Sequence, residues 1–171
     1  ASSITMRGHA IMHRTRELIE SEGYTVIYGD TDSTFVWLGR RCEEAEAAAI
    51  GHRLVARVNA WWREHLAEAY GLESALELQF ETHYRRFLMP TIRGAEAGSK
   101  KRYAGLVRDA EGQERLVFKG LEAVRTDWTE LAKAFQQELY RRVFTGEPWR
   151  EYVRGYVQAF LARARSGEFD E

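Results

Sequence analysis

Two aspartates one residue apart, Asp30 and Asp32, are the residues of this sequence best suited to chemistry. They stand in the run Tyr28-Gly29-Asp30-Thr31-Asp32-Ser33. On extended backbone, side chains two apart point to the same side. Two carboxylates held together repel one another and tend to retain a proton. A divalent cation between them removes that cost. Magnesium suits such a place, because it takes few protein carboxylates and fills its other positions with water and substrate phosphate oxygens. Aspartate is also an ordinary turn residue, so a bare Asp-x-Asp reads as a turn as well as a metal site.

The flanking residues must position these acids. Tyr24-Thr25-Val26-Ile27-Tyr28 and Ser33-Thr34-Phe35-Val36-Trp37-Leu38 are rich in β-branched and aromatic side chains. Two such runs around a short polar tip predict a β-hairpin with the acids at its end. Before it, Ile4, Gly8, Ile11, Thr15, Leu18 and Ile19 recur at helical spacing from Ser3 to Glu22, and Gly23 is a natural stop. After it, Glu43 to Tyr70 is a long amphipathic helix. Its stripe is Ala47, Ile50, Leu54, Val58 and Trp61, its first turn is acidic as the helix dipole favours, and Gly71 closes it.

Leu76 to Met89 reads as extended chain, partly alternating, followed by a loop over Pro90 and Gly94 to Gly98. Lys100 to Val107 and Arg115 to Phe118 read as strands joined through Asp109 to Gly112. From Asp127 the period becomes helical. Leu131, Phe135, Leu139 and Val143 make one stripe; Trp149, Tyr152, Val153, Tyr156, Val157 and Phe160 make another. Thr145-Gly146-Glu147-Pro148 supplies a glycine stop and a proline start, which predicts an αα-hairpin. Asp127 is placed to cap its first helix. The fold class expected is therefore α+β: an antiparallel sheet with packed helices over residues 1–124, then a helical hairpin over 125–171.

A second candidate segment is Lys100-Lys101-Arg102-Tyr103. Read as a strand, it puts Lys101 and Tyr103 on one face and Lys100 and Arg102 on the other. Cations and hydrogen-bond donors on a strand suit a nucleic-acid backbone and groove edge. Lysines on a solvated edge strand, which deter sheet-to-sheet aggregation, are the competing reading.

The composition sets bounds. The 171 residues carry 25 Lys and Arg against 26 Asp and Glu, a net charge of −1, so no overall basicity advertises nucleic acid. The charge is uneven, however: ten basic and five acidic residues lie between His83 and Arg125, against three and eight between Glu43 and Glu81. One cysteine, Cys42, excludes a disulfide framework and a multi-cysteine zinc site. No apolar run approaches the roughly 20 residues that cross a bilayer, and no signal peptide is visible. His9 and His13 are four apart, but the glutamate of a His-Glu-x-x-His metal motif is absent; the five histidines read as surface or packing residues. Arg141, Arg142, Arg150 and Arg154 read as solvated helix arginines. The chain opens Ala1-Ser2-Ser3 and stops in a helical pattern, as a piece of a longer polypeptide would.

All six residues from Tyr28 to Ser33 match motif C of the family B DNA polymerases, and the chain resembles that family along its whole length. The resemblance gives Asp32 the principal metal-binding role, bridging two ions, and Asp30 a lesser one. Leu78-Gln79-Phe80-Glu81 resembles the strand whose glutamate lies near the metals, with Gln79 departing from the more usual glutamate. Lys100-Lys101-Arg102-Tyr103-Ala104-Gly105-Leu106 resembles the signature whose second lysine and tyrosine bind the primer near its 3′ end. Such minor-groove contacts are similar for every base pair. Gly120-Leu121-Glu122 and Val124-Arg125-Thr126-Asp127-Trp128 resemble the passage from palm to thumb, where Arg125 packs or meets backbone phosphate. Residues 2–9 and 87–94 are most similar to bacterial members.

The resemblance implies the end of a palm domain and the start of a thumb. It implies a magnesium-dependent, DNA-directed DNA polymerase that adds dNTPs to a primer 3′-hydroxyl on primer–template DNA, in DNA replication or repair. It further implies a bacterial cytoplasmic protein at the nucleoid, with no membrane association and a sliding clamp as a partner through other regions. The family's motif A aspartate has no counterpart here, so the chain alone is expected to be inactive. Two other classes stay open on the sequence: a noncatalytic nucleic-acid-binding domain, and a metal-dependent phosphate-ester hydrolase.

Overall fold

Helix α1 spans Ser2–Ser21 in a computed structural model that describes residues 2–30, 32–90, 101–109 and 111–166. Gly23, at φ 86°, turns the chain out of the helix, its N–H bonded back to Glu20 O. Strands β1 (Thr25–Asp30) and β2 (Ser33–Trp37) form the expected hairpin. Helix α2 (Glu44–Tyr70) follows and is closed by Gly71 in the left-handed conformation. Contacts divide the chain into two compact units, Ala1–Arg85 and Arg86–Glu171.

The first unit is built around Leu18, Ile19, Val26, Ile50, Leu54, Val58 and Trp62. Helical spacing from Val58 selects Trp62 for the core, not Trp61; Trp61 packs half-buried beside it. Thr15 is buried because its hydroxyl accepts a hydrogen bond from Trp62 Nε1 at 3.3 Å. That bond satisfies the indole N–H in a place water does not reach.

The extended reading of Leu76 to Met89 needs correction. A strand forms at Arg86–Leu88 (β3), while residues 72–84 belong to neither helix nor strand. A side chain replaces the missing partner strand. Asn59 of α2 donates from Nδ2 to Leu78 O at 2.9 Å and accepts from Leu78 N at 2.8 Å. Leu76 and Leu78 thereby face the core. Phe80 packs against Gly51, where a Cβ would come within 2.3 Å of the ring. Gly51 costs helix propensity but lets this segment approach α2 closely.

In the second unit β3, β4 (Tyr103–Arg108) and β5 (Glu114–Lys119) form an antiparallel sheet in the order β3-β4-β5. The β4–β5 turn closes through Asp109, whose carboxylate accepts from Gln113 N at 2.7 Å. The core is Ala104, Leu106, Leu121 and Phe144, with Leu88, Leu116, Phe118 and Tyr140 packed on it. A single 3-10 turn, Glu122–Val124, leads to α3 (Glu130–Thr145) and α4 (Trp149–Arg165). Asp127 does not cap α3. Thr129 does, accepting from Ala132 N, while Asp127 holds Arg125 through both carboxylate oxygens at 2.9 and 2.6 Å. The palm–thumb division expected between residues 124 and 125 falls inside this second unit.

The helical hairpin meets through aromatic rings, Phe135 against Tyr152 and Tyr156, with centroids 5.8 and 4.6 Å apart. No α4 side chain is fully buried. Arg141 and Arg142 are not merely solvated: both pair with Glu138 and with Glu147. Hydrogen bonds from Arg141 hold the Glu138 carboxyl down to about 2. The stabilisation this carries is complete above the ordinary value of 4.5 and is lost as pH falls toward about 2. The described residues thus form an α+β protein of four α-helices and two small antiparallel sheets. None of those helices is long and apolar enough to cross a membrane.

Candidate active site

The hairpin is irregular where it matters. Val26 pairs with Val36 and Tyr28 with Phe35, so Ile27 is an extra residue on β1, a β-bulge. Regular alternation would put Val26, Tyr28 and Asp30 on one face. The bulge separates them. Val26, Val36 and Gly29 face the helices, with Met12 of α1 at 3.7 Å from the position of a Gly29 Cβ. Tyr28 shares the opposite face with Phe35, and Asp30 shares it with Ser33. The rings of Tyr28 and Phe35 lie 5.4 Å apart, and Phe35 lies 6.1 Å from Tyr84. Bulges beside active sites commonly re-aim a side chain in this way. Here the core takes a valine while the acid is carried on an aromatic surface.

Asp32 departs from the simple picture. Asp30 pairs with Ser33, and Asp32 lies in the turn between the two strands, not on the ladder. The turn aims its side chain, not strand alternation. Thr31 lies outside the described residues. Asp32 is exposed, and Ser33 Oγ donates to its Oδ1 at 3.3 Å. The pair offers hard oxygen donors at a surface, which fits a magnesium ion that keeps water and phosphate oxygens. Among the described residues no group of three His, Cys, Asp or Glu side chains could hold a metal.

Glu81 is exposed and belongs to the irregular 72–84 segment, not to the strand expected for it. That segment is pinned at its end. His83 Nδ1 lies 2.8 Å from Glu44 Oε2, and Tyr84 contacts Phe35 as above.

Lys101 requires a second correction. Strand β4 begins at Tyr103, paired with Lys119, and Lys101 precedes it in the left-handed region at φ 63°. The alternation that put Lys101 on the face of Tyr103 does not hold. The cause is Gly120, at φ 61°, where a Cβ would stand 2.2 Å from Lys101 O. Two glycine-like turns lie back to back, and an exposed lysine is presented on one of them. Tyr103 is half-buried with its ring 5.2 Å from Phe87. Arg102 donates from Nε to Gly120 O at 3.2 Å and pairs with Glu122. Lys100 lies outside the described residues. The charges of Arg102 and Arg125 are thus answered within the protein, by Glu122 and Asp127.

Sequence reasoning missed Ile27 as a bulge, Tyr84 as a support for the tip, and Gly120 and Glu122 as the frame of Lys101. The glycine was legible as a turn residue, but its partner was not, because that contact joins residues far apart in sequence.

The model of DNA polymerase family B matches residues 1–168. The chain is 63% identical over 170 residues to DNA polymerase II of Escherichia coli (strain K12), covering 99% of this chain and 21% of that protein. It is 30% identical over 169 residues to a DNA polymerase of Archaeoglobus fulgidus, covering 98% and 18%. It is 28% identical over 153 residues to the DNA polymerase alpha catalytic subunit of Xenopus laevis, covering 86% and 9%. The chain spans about a fifth or less of the length of these relatives. A family match over nearly every residue, with the aspartate pair on its hairpin tip, places the chain in DNA polymerase family B.

Proposed function

We propose that the chain is the part of a bacterial DNA-directed DNA polymerase that contributes Asp30 and Asp32 to the polymerisation site and Lys101 and Tyr103 to the primer. The observation that carries this reading is the carboxylate pair at a bulged hairpin tip in a chain of this family. Residues 1–124 act as the end of the palm and 125–171 as the start of the thumb. The reaction is attack of the primer 3′-hydroxyl on the α-phosphate of a dNTP, releasing pyrophosphate. Asp32 is the principal ligand for magnesium and Asp30 adds negative charge beside it, with Glu81 nearby in a supporting role. Two ions bound there would lower the pKa of the attacking hydroxyl and neutralise charge on the triphosphate. The chain's own part is to hold the carboxylates rigid, carry the primer end and exclude wrong geometry. The setting is the bacterial cytoplasm, on DNA, and a sliding clamp would engage regions beyond this chain.

Primer extension with dNTPs tests this directly. The full-length polymerase should extend a primer with release of pyrophosphate, and the chain alone should not. Phosphate-ester hydrolysis without synthesis, or duplex binding without either, would replace the reading with one of the two other classes.

A further expected result concerns Lys101. A charged hydrogen bond to DNA contributes about 1.5–3 kcal/mol. Lys101→Ala in the full-length polymerase should therefore weaken primer–template binding and slow extension by about one to two decades at limiting DNA. The loss should be the same on duplexes of different sequence. A change within about 0.5 kcal/mol would mark Lys101 as an ordinary surface lysine.

A further inference from the structure

Lys101 cannot hold its own conformation. A non-glycine residue at positive φ is uncommon, and it persists where surrounding structure over-determines it. A chain of contacts does so here. Gly120 offers bare backbone where any side chain would strike Lys101 O. The next residue, Arg102, is bonded through Nε to Gly120 O and through Nη2 to Glu122. Glu122 in turn accepts from Gln136 Nε2 at 2.6 Å through its second oxygen, and Gln136 Oε1 accepts from Ala123 N at 2.6 Å. Gln136 lies on α3. A continuous polar chain therefore runs from the residue after Lys101, through the 3-10 turn, into the first helix of the hairpin. Glu122 is its centre. Both its oxygens are engaged, and its side chain is 19% exposed against 39% for Arg102.

We propose that Glu122 is a positioning residue: through Arg102 it fixes the backbone that presents Lys101, and through Gln136 it makes that loop and α3 respond to primer binding together. The proposal rests on Lys101 being a primer contact. It also moves Arg102 from a direct DNA contact to a structural one, because its guanidinium is committed to Gly120 and Glu122. Charge-assisted bonds of this kind are the stronger ones, and a partly buried network loses more than one bond when its centre is removed.

The test is a double-mutant cycle in the full-length polymerase, measuring primer–template affinity and the split between kcat and KM for DNA. Glu122→Ala should raise the dissociation constant roughly five- to tenfold. The loss should fall on KM for primer–template rather than on kcat. Combined with Lys101→Ala, it should add little, since the contact it positions is already gone. Glu122→Gln keeps an acceptor for Arg102 and should recover part of the loss. Gly120→Ala alters no charge and should reproduce it by displacing Lys101. Fully additive losses for Glu122→Ala and Lys101→Ala, or unchanged affinity in Glu122→Ala, would overturn the positioning role. No effect of Lys101→Ala by itself would remove the primer contact, and the inference with it.

Discussion

Asp32→Asn in the full-length polymerase should abolish measurable primer extension, a loss of at least about a thousandfold, while primer–template affinity should stay within about twofold. Asparagine keeps the size of the side chain and its place in the turn before Ser33. It can still accept the hydrogen bond that Ser33 Oγ makes to Oδ1. What it removes is a unit of negative charge at an exposed tip that no third acidic, His or Cys side chain reinforces among the described residues. Removing one preorganised electrostatic group from a transition state commonly costs a hundred- to a thousandfold, roughly 3–4 kcal/mol. For the principal metal ligand proposed above, the expected loss lies at or beyond the upper end. Extension assays across a range of magnesium concentrations, with parallel DNA titrations, make the measurement. Near-normal turnover would show that Asp32 is a turn residue. Loss of DNA affinity in step with turnover would show that the hairpin had moved.

The largest expected effect on stability is at Leu121. It is 2% exposed and stands between Gly120, which faces Lys101, and Glu122, which holds Arg102. Its side chain joins Ala104, Leu106 and Phe144 in the core of the second unit. Leu121→Ala should destabilise that unit by about 3 kcal/mol, the transfer of the lost methyl groups plus an unfilled cavity. Amide hydrogen exchange of β4 and β5 in the chain reads this locally, with no need for the two units to unfold together. Protection in those strands should fall about a hundredfold. A fall of less than about tenfold would mean that the sheet does not depend on Leu121 for its attachment to α3. In the full-length polymerase the same substitution should also raise the dissociation constant for primer–template, because the turn that frames Lys101 is anchored by this side chain.

Much of this was readable in the amino-acid sequence, because short-range physics sets it. The hairpin over Tyr24 to Leu38, the stops at Gly23, Gly71 and Gly146, and the helical stripes after Asp127 all follow from periodicity and backbone preference within a few residues. The aspartate pair was legible for the same reason: its two members are one residue apart in sequence, at the end of a hairpin that local preference sets. Tertiary structure decided the rest. The chain after Gly71 found no strand partner and was satisfied at Leu78 by Asn59 of α2, a choice that depends on which surface lies beside it. The bulge at Ile27 follows from two faces with different needs, one closing over α1 and the other carrying Asp30 with Tyr28, Phe35 and Tyr84. Lys101 left the strand because Gly120, nineteen residues later in the chain, turns against its carbonyl. Alternation in sequence predicts side-chain direction while the ladder continues; where the ladder ends, direction passes to whatever backbone and charge pack against it. Arg102, Glu122 and Gln136 share no spacing that marks them as partners, and the fold alone brought them into one network.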